Sequence, residues 1–162
     1  MNEILRKKEK LNEMVAFYDA QIRALQADLA KIDKEIFMSK RWIKHLKKEV
    51  CTNQYEIEKC EKLIAVDNQI MNNISVYGAI NMQDKFDGLV EELDETIERK
   101  QRLEADVKND VEYIDFEERV LIDKKIKRLD VLSKLAEVTK HKKDLTKTTR
   151  NLGKSRVQEK AE

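Results

Sequence analysis

From Leu11 to Ile74 the chain carries a stripe whose positions recur at alternating steps of four and three without losing phase. With Val15, Ile22, Leu29, Ile36, Ile43, Val50, Ile57, Ile64 and Met71 at heptad position a, position d falls to Leu11, Tyr18, Leu25, Ile32, Ser39, Leu46, Asn53, Cys60, Asp67 and Ile74. A narrow stripe sustained over roughly nine heptads cannot be buried within one helix, so the segment must meet a partner helix of its own chain or of another. The pattern predicts a heptad-regular coiled-coil helix over residues 1–72.

The phase is lost after Ile74, where Gly78 would take the next a position. Asn72, Asn73, Ser75, Gly78 and Asn81, set among β-branched residues, predict a turn over 73–82. Asn81 followed by Asp84 offers an N-cap with an acidic residue in the first turn, which suits the exposed amides and the dipole of a second helix over 83–150. Its apolar positions run Phe86, Val90, Leu93, Ile97, Leu103, Val107, Val111, Ile114, Leu121, Ile122, Ile126, Leu129, Leu132, Leu135, Val138 and Leu145. Steps such as Ile97 to Leu103 and Leu129 to Leu132 to Leu135 break a strict heptad, so this helix is expected to supercoil less regularly and to offer docking stretches to further helices. Residues 151–162 read as a basic, disordered tail.

The predicted fold class is therefore all-α: a long coiled coil folded as an antiparallel two-helix hairpin, with a continuous helix in a parallel dimer as the alternative. Length favours the hairpin, because about 72 residues before the turn and about 70 after it give two rods of roughly 105 Å. Charge favours it too. A turn centred near Gly78 sets residue i opposite roughly 157 minus i, which brings the basic run Lys40–Lys48 against Asp110, Glu112, Asp115, Glu117 and Glu118, and Asp28, Asp33 and Glu35 against Lys124, Lys125, Lys127 and Arg128. Isoleucine and valine at a, which suit a parallel two-stranded coil, keep the alternative open.

Composition changes the picture only by narrowing it. The chain has 162 residues, of which 40% are charged and 6% aromatic, with three glycines and no proline. So much charge leaves enough apolar side chains for a seam and too few for a compact core. The net charge of +1 implies no obligatory nucleic-acid or membrane partner, but its distribution is uneven. Residues 84–118 hold 14 acidic against 5 basic side chains, and residues 119–162 hold 14 basic against 6 acidic. No apolar run approaches a membrane span and Met1–Lys10 lacks a secretory stretch, which reads as a cytoplasmic or cytoskeletal protein with no membrane partner. Cys60 on the seam and Cys51 outside it read as reduced side chains.

Catalytic, cofactor and metal sites are not expected. Asn151-Leu152-Gly153-Lys154-Ser155 imitates the end of a phosphate-binding loop, but Thr148 stands where its first glycine belongs and no strand precedes it. Cys51, Cys60, His45 and His141 lack zinc-ligand spacing, and the two histidines are far apart. The stretch Gly78-Ala79-Ile80-Asn81-Met82 leading into an acidic coil resembles the segment that re-enters the ATPase head of SMC-type proteins, but no head motif follows it. The overall plan looks like that of small helical-hairpin stalk proteins of bacterial export machines, with no motif in support, so neither likeness assigns a family.

What remains is interaction chemistry. Ser39, Asn53 and Asp67 are polar d residues two heptads apart that can fix register or partner, because a wrong alignment strands them without a hydrogen bond. Ile74, Val76, Tyr77, Ile80 and Met82 make the turn more apolar than a solvated loop requires and suit insertion into a partner's groove. Lys142, Lys143 and Arg150, with Arg6, Lys7, Lys8 and Lys10 brought beside them by a hairpin, make a basic end for an acidic polymer surface. The expected function is that of a non-enzymatic scaffold, spacer or adaptor in a larger intracellular assembly, cytoskeletal or motor-associated, whose partners are other protein helices of its own or another chain. The alternative is a nucleic-acid-associated coiled coil that grips phosphate with the same basic end.

Overall fold

The computed structural model describes residues 2–77 and 83–159, with side chains described for 2–74 and 83–154. It is all-helical: α1 spans Asn2–Tyr77 and α2 spans Gln83–Glu159, and these two long helices pack against each other. Contacts divide the chain into two compact units, one made of Met1–Met38 with Leu121–Glu162 and the other of Ser39–Val120. Both helices run further than the sequence pattern predicts. α1 continues past residue 72 to Tyr77, and α2 continues past 150 to Glu159, where a disordered tail was expected. No proline stops either extension, and a single glycine at 153 costs only about 1 kcal/mol relative to alanine.

In α1 every seam position from Leu11 to Ile74 is buried or half-buried, while most of the residues between them are exposed. α2 departs from its expected irregularity. Its covered positions follow unbroken steps of three and four through both units: Phe86, Leu89, Leu93, Thr96, Lys100, Leu103, Val107, Asp110, Ile114 and Glu117 in the second unit, then Leu121, Lys124, Arg128, Val131, Leu135, Val138, Lys142, Leu145, Thr149 and Leu152 in the first. The helix keeps one face covered by using long polar side chains where apolar ones are missing. Lys100, Lys124, Arg128 and Lys142 are half-buried there, and the charged heads of Lys100, Arg128 and Lys142 reach acidic side chains of α1. The apolar residues that seemed to break the repeat lie elsewhere: Ile122, Ile126 and Leu129 are exposed, and Ile97 and Leu132 flank the covered face half-buried.

The deepest packing in the second unit involves Ile43, Leu46, Cys60 and Ile114; in the first it involves Ile36. Ion pairs join the helices within each unit. In the first, Arg128 Nε meets Asp33 Oδ1 at 2.6 Å and Lys142 Nζ meets Asp19 Oδ1 at 2.5 Å, beside an edge-on contact of Tyr18 with His141. In the second, Lys47 Nζ meets Glu118 Oε1 at 2.7 Å, Arg99 meets Glu56 at 3.0 Å and Lys100 meets Glu61 at 3.4 Å. Such partly exposed pairs contribute only tenths of a kcal/mol each.

Candidate functional site

The polar seam residues have different environments. Ser39 is buried, Asn53 is half-buried on a groove it shares with His45, Asp106, Asn109 and Asp110, and Asp67 is 4% exposed. Asp67 Oδ2 accepts no hydrogen bond. A carboxylate oxygen removed from water without a donor is a net cost to folding.

Lys100 is one of the covered α2 residues that the apolar pattern overlooked, although an unbroken three-four count from Phe86 reaches it. It lies between Glu61 on α1 and Glu104 one turn along α2, at 3.4 and 3.5 Å. Desolvation pulls its pKa down, but the charge of Glu104 and the hydrogen bond and charge of Glu61 outweigh that and hold it above the ordinary lysine value of 10.5. A folded-state pKa raised in this way gives stability that is fully present below 10.5 and is lost as pH rises through the folded value. Comparing denaturant midpoints at about pH 9 and pH 11 is expected to show a larger alkaline loss in the native chain than in Lys100→Met; equal losses would remove Lys100 from the linkage.

Of the apolar turn candidates, Ile74 sits on α1, half-buried as the last seam position, because the helix continues beyond it. Val76 and Tyr77 fall within α1, but their side chains lie outside the described residues, as do Ile80 and Met82 altogether. The basic candidates divide. Lys143 and Arg150 are exposed, and so are Arg6, Lys7, Lys8 and Lys10 on α1 of the same unit. Lys142 is instead half-buried and bound to Asp19, because its place in the three-four repeat turns it toward α1. The basic surface of this unit is thus carried by the residues around Lys142.

Exposed apolar strips also run along both helices. In the first unit, Ile122, Ile126 and Leu129 follow one another at i, i+4 and i+7 on α2. In the second, Leu63, Val66 and Ile70 do so at i, i+3 and i+7 on α1, with Leu63 and Val66 lining a groove that also touches Cys60 and Thr96. Among the described residues no group of three His, Cys, Asp or Glu side chains could hold a metal ion, and no helix is long and apolar enough to cross a membrane. No protein-family model, curated protein or solved structure matches the chain.

Proposed function

We propose that the two helices form an antiparallel coiled-coil hairpin that serves as a scaffold or adaptor, anchored through the basic surface of its first unit to an anionic protein partner. The observation that carries this reading is the seven-residue repeat of covered positions, sustained on both helices. The order of the ion pairs supports the antiparallel sense. In the first unit α1 rises from Asp19 to Asp33 while its partner falls from Lys142 to Arg128; in the second, α1 rises from Lys47 to Glu56 and Glu61 while its partners fall from Glu118 to Arg99 and Lys100. Within each unit this favours residue i opposite roughly 160 minus i, rather than 157 minus i, as follows from α1 reaching Tyr77 before α2 begins at Gln83. The proposed setting is a cytoskeletal or motor-associated assembly in the cytoplasm, where acidic polymer surfaces are the natural counterpart of such a basic patch.

Binding of a labelled polyglutamate peptide, read by anisotropy, tests the anchoring. The native chain is expected to bind at low salt, weaken steeply as salt rises and lose at least about tenfold in affinity in the double variant Lys143→Glu/Arg150→Glu. Lys44→Glu/Lys48→Glu, in the other unit, should leave it unchanged. Duplex DNA and RNA of matched charge form the competing arm: a strong preference for either would put the nucleic-acid reading in place of the protein one. Equal affinity of the native chain and the Lys143/Arg150 variant would remove the basic surface from both readings.

A further inference from the structure

We infer that a second copy of the chain covers the exposed apolar strip of the first unit, docking there through an acidic aromatic strip of its own second unit. On α2 of the first unit the usual sides are exchanged. Lys124 and Arg128 occupy covered positions, Arg128 spent on Asp33, while Ile122, Ile126 and Leu129 stand 56%, 59% and 64% exposed. A helix with only α1 to satisfy would gain by burying the isoleucines and leaving the cations in water. Spacing of i, i+4 and i+7 is what another helix's side chains can interlock with.

The surroundings select the occupant. The strip's own helix is basic: Lys125 and Lys127 are exposed beside it, and of the two neighbouring acids Asp130 is held by Lys134 at 3.0 Å. The complementary surface is an apolar strip on an acidic helix, and the chain itself carries one. In the second unit, Tyr113, Phe116 and the half-buried Val120 follow at i, i+3 and i+7 on α2, the two aromatics within residues 84–118, where acidic side chains outnumber basic ones by 14 to 5. Tyr113 and Phe116 are exposed with their rings 6.3 Å apart, and Glu112 and Asp115 are exposed beside them. Aromatic anchors with Glu112 and Asp115 beside them on one copy thus meet aliphatic residues with Lys125 and Lys127 beside them on the next, a contact between unlike surfaces of identical chains.

Sedimentation of the full-length chain from low to high micromolar concentration tests this, with helicity followed by circular dichroism. The native chain is expected to associate with rising concentration, and less so at high salt. Ile126→Glu/Leu129→Glu, which damages the first strip, and Phe116→Lys, which damages the second, should each stay monomeric with native helicity. Mixed in equal amounts they should form a one-to-one pair, because each supplies the strip the other lacks. Should a variant lose helicity, Ile126→Ser/Leu129→Ser and Phe116→Ser take its place. A native chain monomeric throughout, variants that associate as the native chain does, or a mixture that stays monomeric would each overturn the inference. It names a partner that the scaffold reading leaves open: a monomer that still binds polyglutamate overturns self-docking alone.

Discussion

Leu46→Ala is expected to lower the unfolding free energy by about 2–3 kcal/mol, one of the largest single losses available in this chain. Leu46 is only 4% exposed, in the unit where Ile43, Cys60 and Ile114 are also deeply covered. Truncation removes the transfer free energy of three carbons and leaves a gap that two stiff helices close only in part. The loss falls at the lower end of the usual range because a contact between two helices borders solvent and can relax sideways. Leu63→Ala is the control: the same chemistry at a residue 43% exposed should cost well under about 1 kcal/mol. Equilibrium urea unfolding followed by helicity measures both. Equal losses at the two sites would mean that the heptad positions hold no more of the packing than the flank does.

The contrast between the helices shows what an apolar pattern can reveal. α1 was legible because most of its seam residues are apolar and recur without a break from Leu11 to Ile74, although Phe17, Phe37 and Trp42 stand exposed outside that stripe. On α2 burial and hydrophobicity part. Thr96, Lys100, Asp110, Glu117, Lys124, Arg128 and Lys142 take covered positions, while Ile122, Ile126 and Leu129 do not. An apolar count therefore reads as broken a helix whose covered face is continuous. Opposed charge runs did identify facing segments, since Lys47–Glu118 and Asp33–Arg128 are among the pairs formed. The helix ends were less sharply marked: α1 runs to Tyr77 and α2 begins at Gln83, and asparagine with glycine marks a break to within a few residues only. The role of Lys142 was illegible for a related reason: its charge is plain in the sequence, whereas its direction follows from a repeat that polar residues help to carry.

Asp67→Leu is expected to stabilise the protein by about 1–3 kcal/mol, the opposite sign from Leu46→Ala. The native carboxylate is 4% exposed and its Oδ2 accepts no hydrogen bond, so folding strips that oxygen of water without replacement. Leucine at the same d position fills similar space without that desolvation. Asp67→Asn should fall between the two, because a neutral amide costs less to bury yet still needs partners. A drop in the urea midpoint of Asp67→Leu would show that the carboxylate is satisfied in solution by a group that shields it. The stabilised variant also tests specificity. If Asp67 is retained for what it forbids, Asp67→Leu should lose discrimination between helix alignments, seen as disulfide cross-linking that spreads to neighbouring turns when paired cysteines replace exposed residues on α1 and α2 within the second unit. Stability gained with cross-linking still confined to one alignment would assign the alignment to the ion pairs of Glu56 and Glu61 with Arg99 and Lys100 instead.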